Sequence, residues 1–121
     1  MKIELNWPDS VPEDQIDLPF IQGMLDRMAF GFHNYGHARR FMDRPDNLAN
    51  VAIRVKKYQE TLNTEFLIDA ANFLMMEFMV PSLPGAHFKA TEHHESPGAI
   101  VAGKLIKNKD ELKRPKRREG D

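Results

Sequence analysis

Apolar side chains recur at helical spacing three times along this chain. In the first run, Phe20, Ile21, Met24, Leu25, Met28 and Phe32 line one face of a 3.6-residue period. Asp17 stands ahead of it as an N-cap with Pro19 in the first turn, and Gly36 closes it. Gly23 and Gly31 interrupt the run; each weakens a helix by up to about 1 kcal/mol relative to Ala, or permits close packing. Residues 1–16 carry Trp7-Pro8 and Val11-Pro12 and little period, which predicts an extended arm with room for one short strand at Lys2 to Asn6.

Arg39 to Asp43 read as a connector. Pro45 opens a second helix whose inner face is expected to be Leu48, Val51, Ala52, Val55 and Tyr58, with Asn47, Asn50, Arg54 and Lys57 on a neighbouring polar stripe. Thr61-Leu62-Asn63-Thr64 breaks the pattern and supplies caps for a third helix, which runs from Glu65 to about Val80 and is stopped by Pro81. The core domain thus spans residues 17–81. Residues 82–103 are punctuated by Pro84-Gly85, Ser96-Pro97-Gly98 and Gly103 and predict an irregular loop region. Ala99 to Ile106 fit a short helix or a strand, and residues 104–121 form a charged tail. The class is all-α: a three-helix core with an irregular arm and tail.

The third helix sets the assembly expectation. Twelve of the fifteen residues from Phe66 to Val80 are apolar, so no wide polar face is left for water. Burying several Phe, Leu and Met side chains contributes roughly 1.5–3 kcal/mol each. A second copy of the chain is the natural cover, and a homodimer with the third helices near its two-fold axis is expected.

Composition narrows the class further. The chain has 121 residues, room for one domain, with 17 Lys+Arg, 18 Asp+Glu and no cysteine, which rules out disulfide frameworks and zinc–thiolate sites. Asp69, Asn72 and Glu77 make the longest apolar stretch too polar to span a bilayer, and Met1-Lys2 leads into no signal segment. A cytoplasmic protein without membrane contact is expected. Charge is uneven: residues 104–121 hold eight Lys/Arg and four Asp/Glu, a net +4, against −5 for residues 1–103. Such a basic tail suits solvation, nucleic acid, an acidic partner surface or the acidic face of a second copy of the chain.

Against the apolar third helix, Glu65, Asp69 and Asn72 stand at i, i+4 and i+7, within one stripe at about 100° per residue. Two carboxylates and an amide so placed can hold a hard divalent ion such as Mg²⁺ through oxygen. The same stripe can instead receive Arg54 or Lys57 in an internal ion-pair and amide network. His33 and His37 have the i, i+4 spacing of zinc ligands but no third partner nearby. His87, Glu92, His93, His94 and Glu95 read as solvated loop residues, with His87 and Lys89 able to close over a phosphate. The methionines on core faces read as filler.

The stretch Tyr58-Gln-Glu-Thr-Leu-Asn-Thr-Glu-Phe-Leu-Ile-Asp-Ala-Ala-Asn-Phe-Leu-Met-Met-Glu-Phe-Met79, with Phe32-His-Asn-Tyr-Gly36 and Ala86-His-Phe-Lys-Ala-Thr-Glu-His-His-Glu-Ser-Pro-Gly98, resembles a small family of phage and prophage proteins. That likeness covers roughly residues 20–98 and implies no activity. More distantly, Glu65-Phe-Leu-Ile-Asp69 is similar to the second acidic motif of the all-α MazG-like nucleotide pyrophosphohydrolases. The second helix presents Asn47 and Asn50 where the first motif of those enzymes has two glutamates. The resemblance implies Mg²⁺ on Glu65 and Asp69, which would be the catalytic pair of a nucleoside triphosphate pyrophosphohydrolase. Substrate would lie against Asn72, Asn50, Arg54 and Lys57. The other class of function is a non-catalytic phage accessory protein. It would bind a host or phage macromolecule through the His87–Glu95 loop and the basic tail.

Overall fold

The computed structural model describes residues 2–41 and 45–112. It is mostly helical, with four α-helices and one two-stranded hairpin: α1 Leu18–Tyr35, α2 Ala38–Phe41, α3 Asn47–Thr61, α4 Glu65–Met79, β1 Ala99–Val101 and β2 Lys104–Ile106. The chain divides into two compact units, one ending at Ala86 and the other starting at His87.

The helix boundaries follow from local chemistry. The Asp17 carboxylate accepts from the Phe20 amide at 3.0 Å to start α1, and Gly36, at φ 83°, ends it by donating to the Phe32 carbonyl. Asp46, one residue past Pro45, caps α3 by accepting from the Ala49 amide at 3.0 Å. Leu62 closes α3 in the left-handed region, φ 63° and ψ 16°, with its amide 2.7 Å from the Tyr58 carbonyl. The Asn63 side chain accepts from the Glu65 amide at 3.0 Å, so a three-residue link turns the chain straight into α4. After α4, the Glu77 carboxylate accepts from the Ser82 amide at 2.7 Å and from its hydroxyl, binding the turn at Pro81 to the helix end. These bonds pull Glu77 below the ordinary carboxylate range. The Ser82 amide contributes most, and the Ser82 hydroxyl and Asn47 amide add to it.

In the first unit α3 and α4 form a helical hairpin, and α1 lies against α4. Gly23 lets α1 approach α4: a β-carbon there would stand 2.6 Å from Ile68 Cδ1. One helix–helix expectation is corrected. The side of α3 that turns inward carries Asn47, Asn50, Val51, Arg54 and Tyr58, while Leu48, Ala52 and Val55 remain exposed. Asn47, expected on a polar stripe, is 1% exposed and donates to Glu77 Oε1 at 3.4 Å. Polar side chains of α3 find partners on α4 or along α3 itself, and this outweighs the apolar period. Arg39 to Phe41, expected as connector, instead join Ala38 in one helical turn, and residues 42–44 lie outside the described residues. Lys2 to Asn6 adopt no regular secondary structure and pair with no strand, so the expected strand does not form.

In the second unit Ala99 to Ile106 resolve into an antiparallel hairpin, pairing Ala99 with Ile106, Ile100 with Leu105 and Val101 with Lys104. Ala102 and Gly103, at φ 51° and 79°, make its two-residue turn. The boundary expected at 103/104 therefore lies within this hairpin, where its turn meets β2. Tail residues 113–121 lie outside the described residues. No described helix is long and apolar enough to cross a membrane.

Candidate functional site

Between α1, α3 and α4 the first unit holds a cleft of about 520 Å³, a volume common for small-molecule sites. Its polar lining includes Arg27, Tyr35, His37, Asn50, Arg54, Asp69 and Asn72, and its apolar lining includes Met28, Phe30, Phe73 and Met76. Five residues singled out by sequence, His37, Asn50, Arg54, Asp69 and Asn72, thus meet at one cavity. Glu65 and Lys57 do not line it. Glu65 has a 55% exposed side chain, and Lys57 pairs with Glu60 at 3.8 Å.

Arg27 is the residue the sequence reading missed. Its Nε donates to Asp69 Oδ1 at 3.0 Å and its Nη2 to Oδ2 at 3.4 Å, while Nη1 stands 3.8 Å from Glu65 Oε1. The guanidinium also lies 4.5 Å over the Phe30 ring. The hydrogen bonds it donates to Asp69 raise its pKa still further above its high ordinary value, so it is a permanent cation. Only a partial signal for it exists in the sequence: Arg27 stands one turn after Gly23, where α1 approaches Ile68 of α4.

Arg54, expected as the partner of Asp69, takes a different seat. Its Nη1 donates to Asn50 Oδ1 at 2.8 Å and to the Asn50 carbonyl at 3.3 Å, and its guanidinium lies 4.3 Å over the Phe73 ring. Asn50 is itself fixed by donating to the Asp46 carbonyl at 2.9 Å. Among the described residues Arg54 pairs with no carboxylate. A half-buried guanidinium clamped on one edge and one face therefore keeps donors for something else.

Asn72 is 4% exposed and donates from Nδ2 to the Met24 carbonyl of α1 at 3.0 Å. A carbonyl only accepts, so this bond fixes the amide orientation; its Oδ1 is buried without a partner. The same holds for Asn47 Oδ1.

The arrangement does not fit Mg²⁺ on Glu65 and Asp69. Both Asp69 oxygens already accept from Arg27, which also faces Glu65. A divalent ion among those oxygens would stand roughly 4 Å from the guanidinium and be repelled by about 8 kcal/mol at an effective dielectric of about 20. Binding would require Arg27 to leave both carboxylates and Phe30. The paired asparagines of α3 add no charge to offset that loss.

The imidazoles of His33 and His37 both rest edge-on against Phe32, at ring separations of 5.5 and 5.2 Å, and His37 lines the cleft. In the second unit Glu92, His94 and Glu95 bring ligand atoms within 4.8 Å of one another, all three exposed. Lys89 already engages Glu95 Oε2 at 3.0 Å. Set against known proteins, the chain matches no protein-family profile, no curated protein and no solved structure.

Proposed function

We propose that this chain is a phage-type, homodimeric nucleotide-binding protein that takes a nucleoside phosphate in the cleft between α1, α3 and α4. The carrying observation is Arg54: positioned by Asn50 and Phe73, lacking a carboxylate among the described residues, and facing a cavity of ligand size. A guanidinium fork suits phosphate oxygens, and the Met and Phe walls suit the flat apolar face of a base. Asp69, the one carboxylate lining the cleft, is engaged by Arg27. This disfavours hydrolysis with Asp69 as the base, because an activated water needs a base with a free lone pair directed at it; the His37 imidazole that also lines the cleft rests edge-on against Phe32.

The dimer is supported by what the first unit leaves uncovered. Among the described residues of that unit, Ala70 is the single fully buried apolar side chain, while Leu25, Phe32, Ile53, Leu74 and Phe78 are about half exposed or more. A cytoplasmic setting in a phage-infected cell would place the protein where nucleotides are abundant.

The test is calorimetric titration of ribo- and deoxyribonucleoside mono-, di- and triphosphates, with pyrophosphate release followed in parallel. Binding by wild type that drops at least about tenfold in Arg54→Gln, with no pyrophosphate released, is the expected result. Release that vanishes in a folded Asp69→Asn variant would make the protein a hydrolase. No binding of any nucleotide would remove this reading and turn attention to a macromolecular partner of the loop and tail.

A further inference from the structure

Glu65 and Asp69 stand one turn apart on α4, an arrangement that by chemistry alone invites a hard cation. The cation that α1 delivers there is an amino-acid side chain. Arg27 reaches both carboxylates, closely to Asp69 and at 3.8 Å to Glu65. Three features show that the seat is built rather than a chance surface pairing. The Asp69 side chain is only 17% exposed and that of Arg27 32%. The guanidinium plane is supported by Phe30. And the backbones on either side are tied together by Asn72 donating to Met24 and by the close approach of Gly23 to Ile68.

We infer that Arg27 is the resident counter-cation of the Glu65–Asp69 pair, filling the position a divalent ion would otherwise take, so that the cleft is a metal-independent anion site. The cleft then carries two guanidinium groups of different standing. Arg27 is neutralised by Asp69 and shapes the floor, while Arg54 keeps its positive charge for the ligand. A ligand arriving as a free polyanion would meet Arg54 directly, with no bridging ion. A magnesium-chelated one would bring a +2 charge toward a floor that is already paired. The preferred ligand class is therefore an unchelated phosphate ester or another small organic anion.

This inference rests on the cleft being the binding site, but its probe is the divalent ion alone, so it is decided whether or not any nucleotide binds. Mn²⁺ is titrated into the full chain carrying Glu92→Gln and Glu95→Gln, which removes the exposed loop cluster as a competing site. Paramagnetic broadening of the backbone amide signals of α1 and α4 is followed. In that background the expected result is no broadening centred on Asp69. Adding Arg27→Gln should open the seat, giving Mn²⁺ binding tighter by roughly tenfold or more, and Asp69→Asn on top should abolish the gain. Broadening around Asp69 with Arg27 intact would overturn the inference, as would a folded Arg27→Gln variant that gains no affinity. Should Arg27→Gln fail to fold, the arm with Arg27 intact decides alone: broadening at Asp69 overturns the inference and its absence upholds it.

Discussion

Arg27 and Asp69 lie 42 positions apart in the chain, yet Nε of one donates to Oδ1 of the other at 3.0 Å, joining α1 to α4 across the floor of the cleft. Each of the two is about a third exposed or less, so solvent screens the pair only in part. Asp69→Asn leaves a half-buried cation without its carboxylate, and Arg27→Gln leaves the reverse. Each should cost about 1–2 kcal/mol in urea unfolding, below the range for fully buried charged hydrogen bonds. The double variant should cost less than the two singles added, because the second change removes the stranded charge. Singles within about 0.3 kcal/mol of wild type would mean that the pair does not hold the helices together.

Arg54 is held differently, by an amide on its own helix and by an aromatic ring on the next. Its loss strands no carboxylate among the described residues, so Arg54→Gln should change stability by no more than about 1 kcal/mol, mostly through the lost stacking on Phe73. Ligand affinity should fall far more. Arg54→Lys is informative because it keeps charge and loses the fork. If the fork matters, the lysine variant should recover less than half of the lost binding free energy in calorimetry.

Leucine 62 ends α3 in a conformation that side chains with a β-carbon adopt at a cost of roughly 1–2 kcal/mol. It is 77% exposed, so little packing offsets that strain. Leu62→Gly should therefore raise stability by about 0.5–1 kcal/mol, with a matching rise in thermal midpoint. A fall would show that Leu62 makes contacts in an assembly that outweigh the backbone strain.

These residues differ in how plainly the sequence announces them. The three long helices are legible because their ends are chemically marked, by Asp17 with Pro19, by the polar link at Asn63, and by Pro81. The third α4 residue of the candidate stripe, Asn72, is legible because a polar group in an apolar run must be organised by something. What it meets is not legible: the partner is a backbone carbonyl of α1 at Met24, and backbone carries no sequence signal. Arg27 is hidden for a related reason. Its partners are 38 and 42 positions away, and the local pattern around it reads as an ordinary amphipathic helix. The inward face of α3 is misread because α4 is apolar on nearly every side. Such a helix accepts any neighbouring face, and hydrogen bonding from Asn47 to Glu77, with Arg54 stacking on Phe73, decides which one it meets.

Glu77 gives a pH signature with a definite sign. Its folded pKa is depressed, chiefly by the Ser82 amide, so folding favours the ionised carboxylate. That contribution is fully present above the ordinary glutamate value, about 4.3, and is lost as pH falls through the lower folded value. Wild type should therefore lose stability on acidification through that window. Glu77→Gln should be less stable at neutral pH and should show a shallower acid limb, since a neutral amide has no proton to take up. Parallel curves for the two proteins between about pH 5 and 2 would place the acid sensitivity elsewhere.

The uncovered face of α4 makes the sharpest statement about assembly. Leu67, Ala71, Leu74, Met75 and Phe78 follow one another at helical spacing, and Leu74 and Phe78 remain 51% and 73% exposed. In a two-fold dimer each side chain is buried twice, so Leu74 and Phe78 together represent four buried groups. Scaled to the surface still exposed, at roughly 1.5–3 kcal/mol per whole side chain, they would contribute about 4–7 kcal/mol before the cost of association, so the rest of this apolar face must add to them to hold a dimer at micromolar concentration. Leu74→Glu with Phe78→Glu removes that contribution and sets like charges across the axis. Light scattering should find wild type at twice the chain mass of 14.0 kDa and the double variant at the single mass, less stable because α4 now faces water. Wild type running as a monomer at high micromolar concentration would mean that some other chain covers this helix.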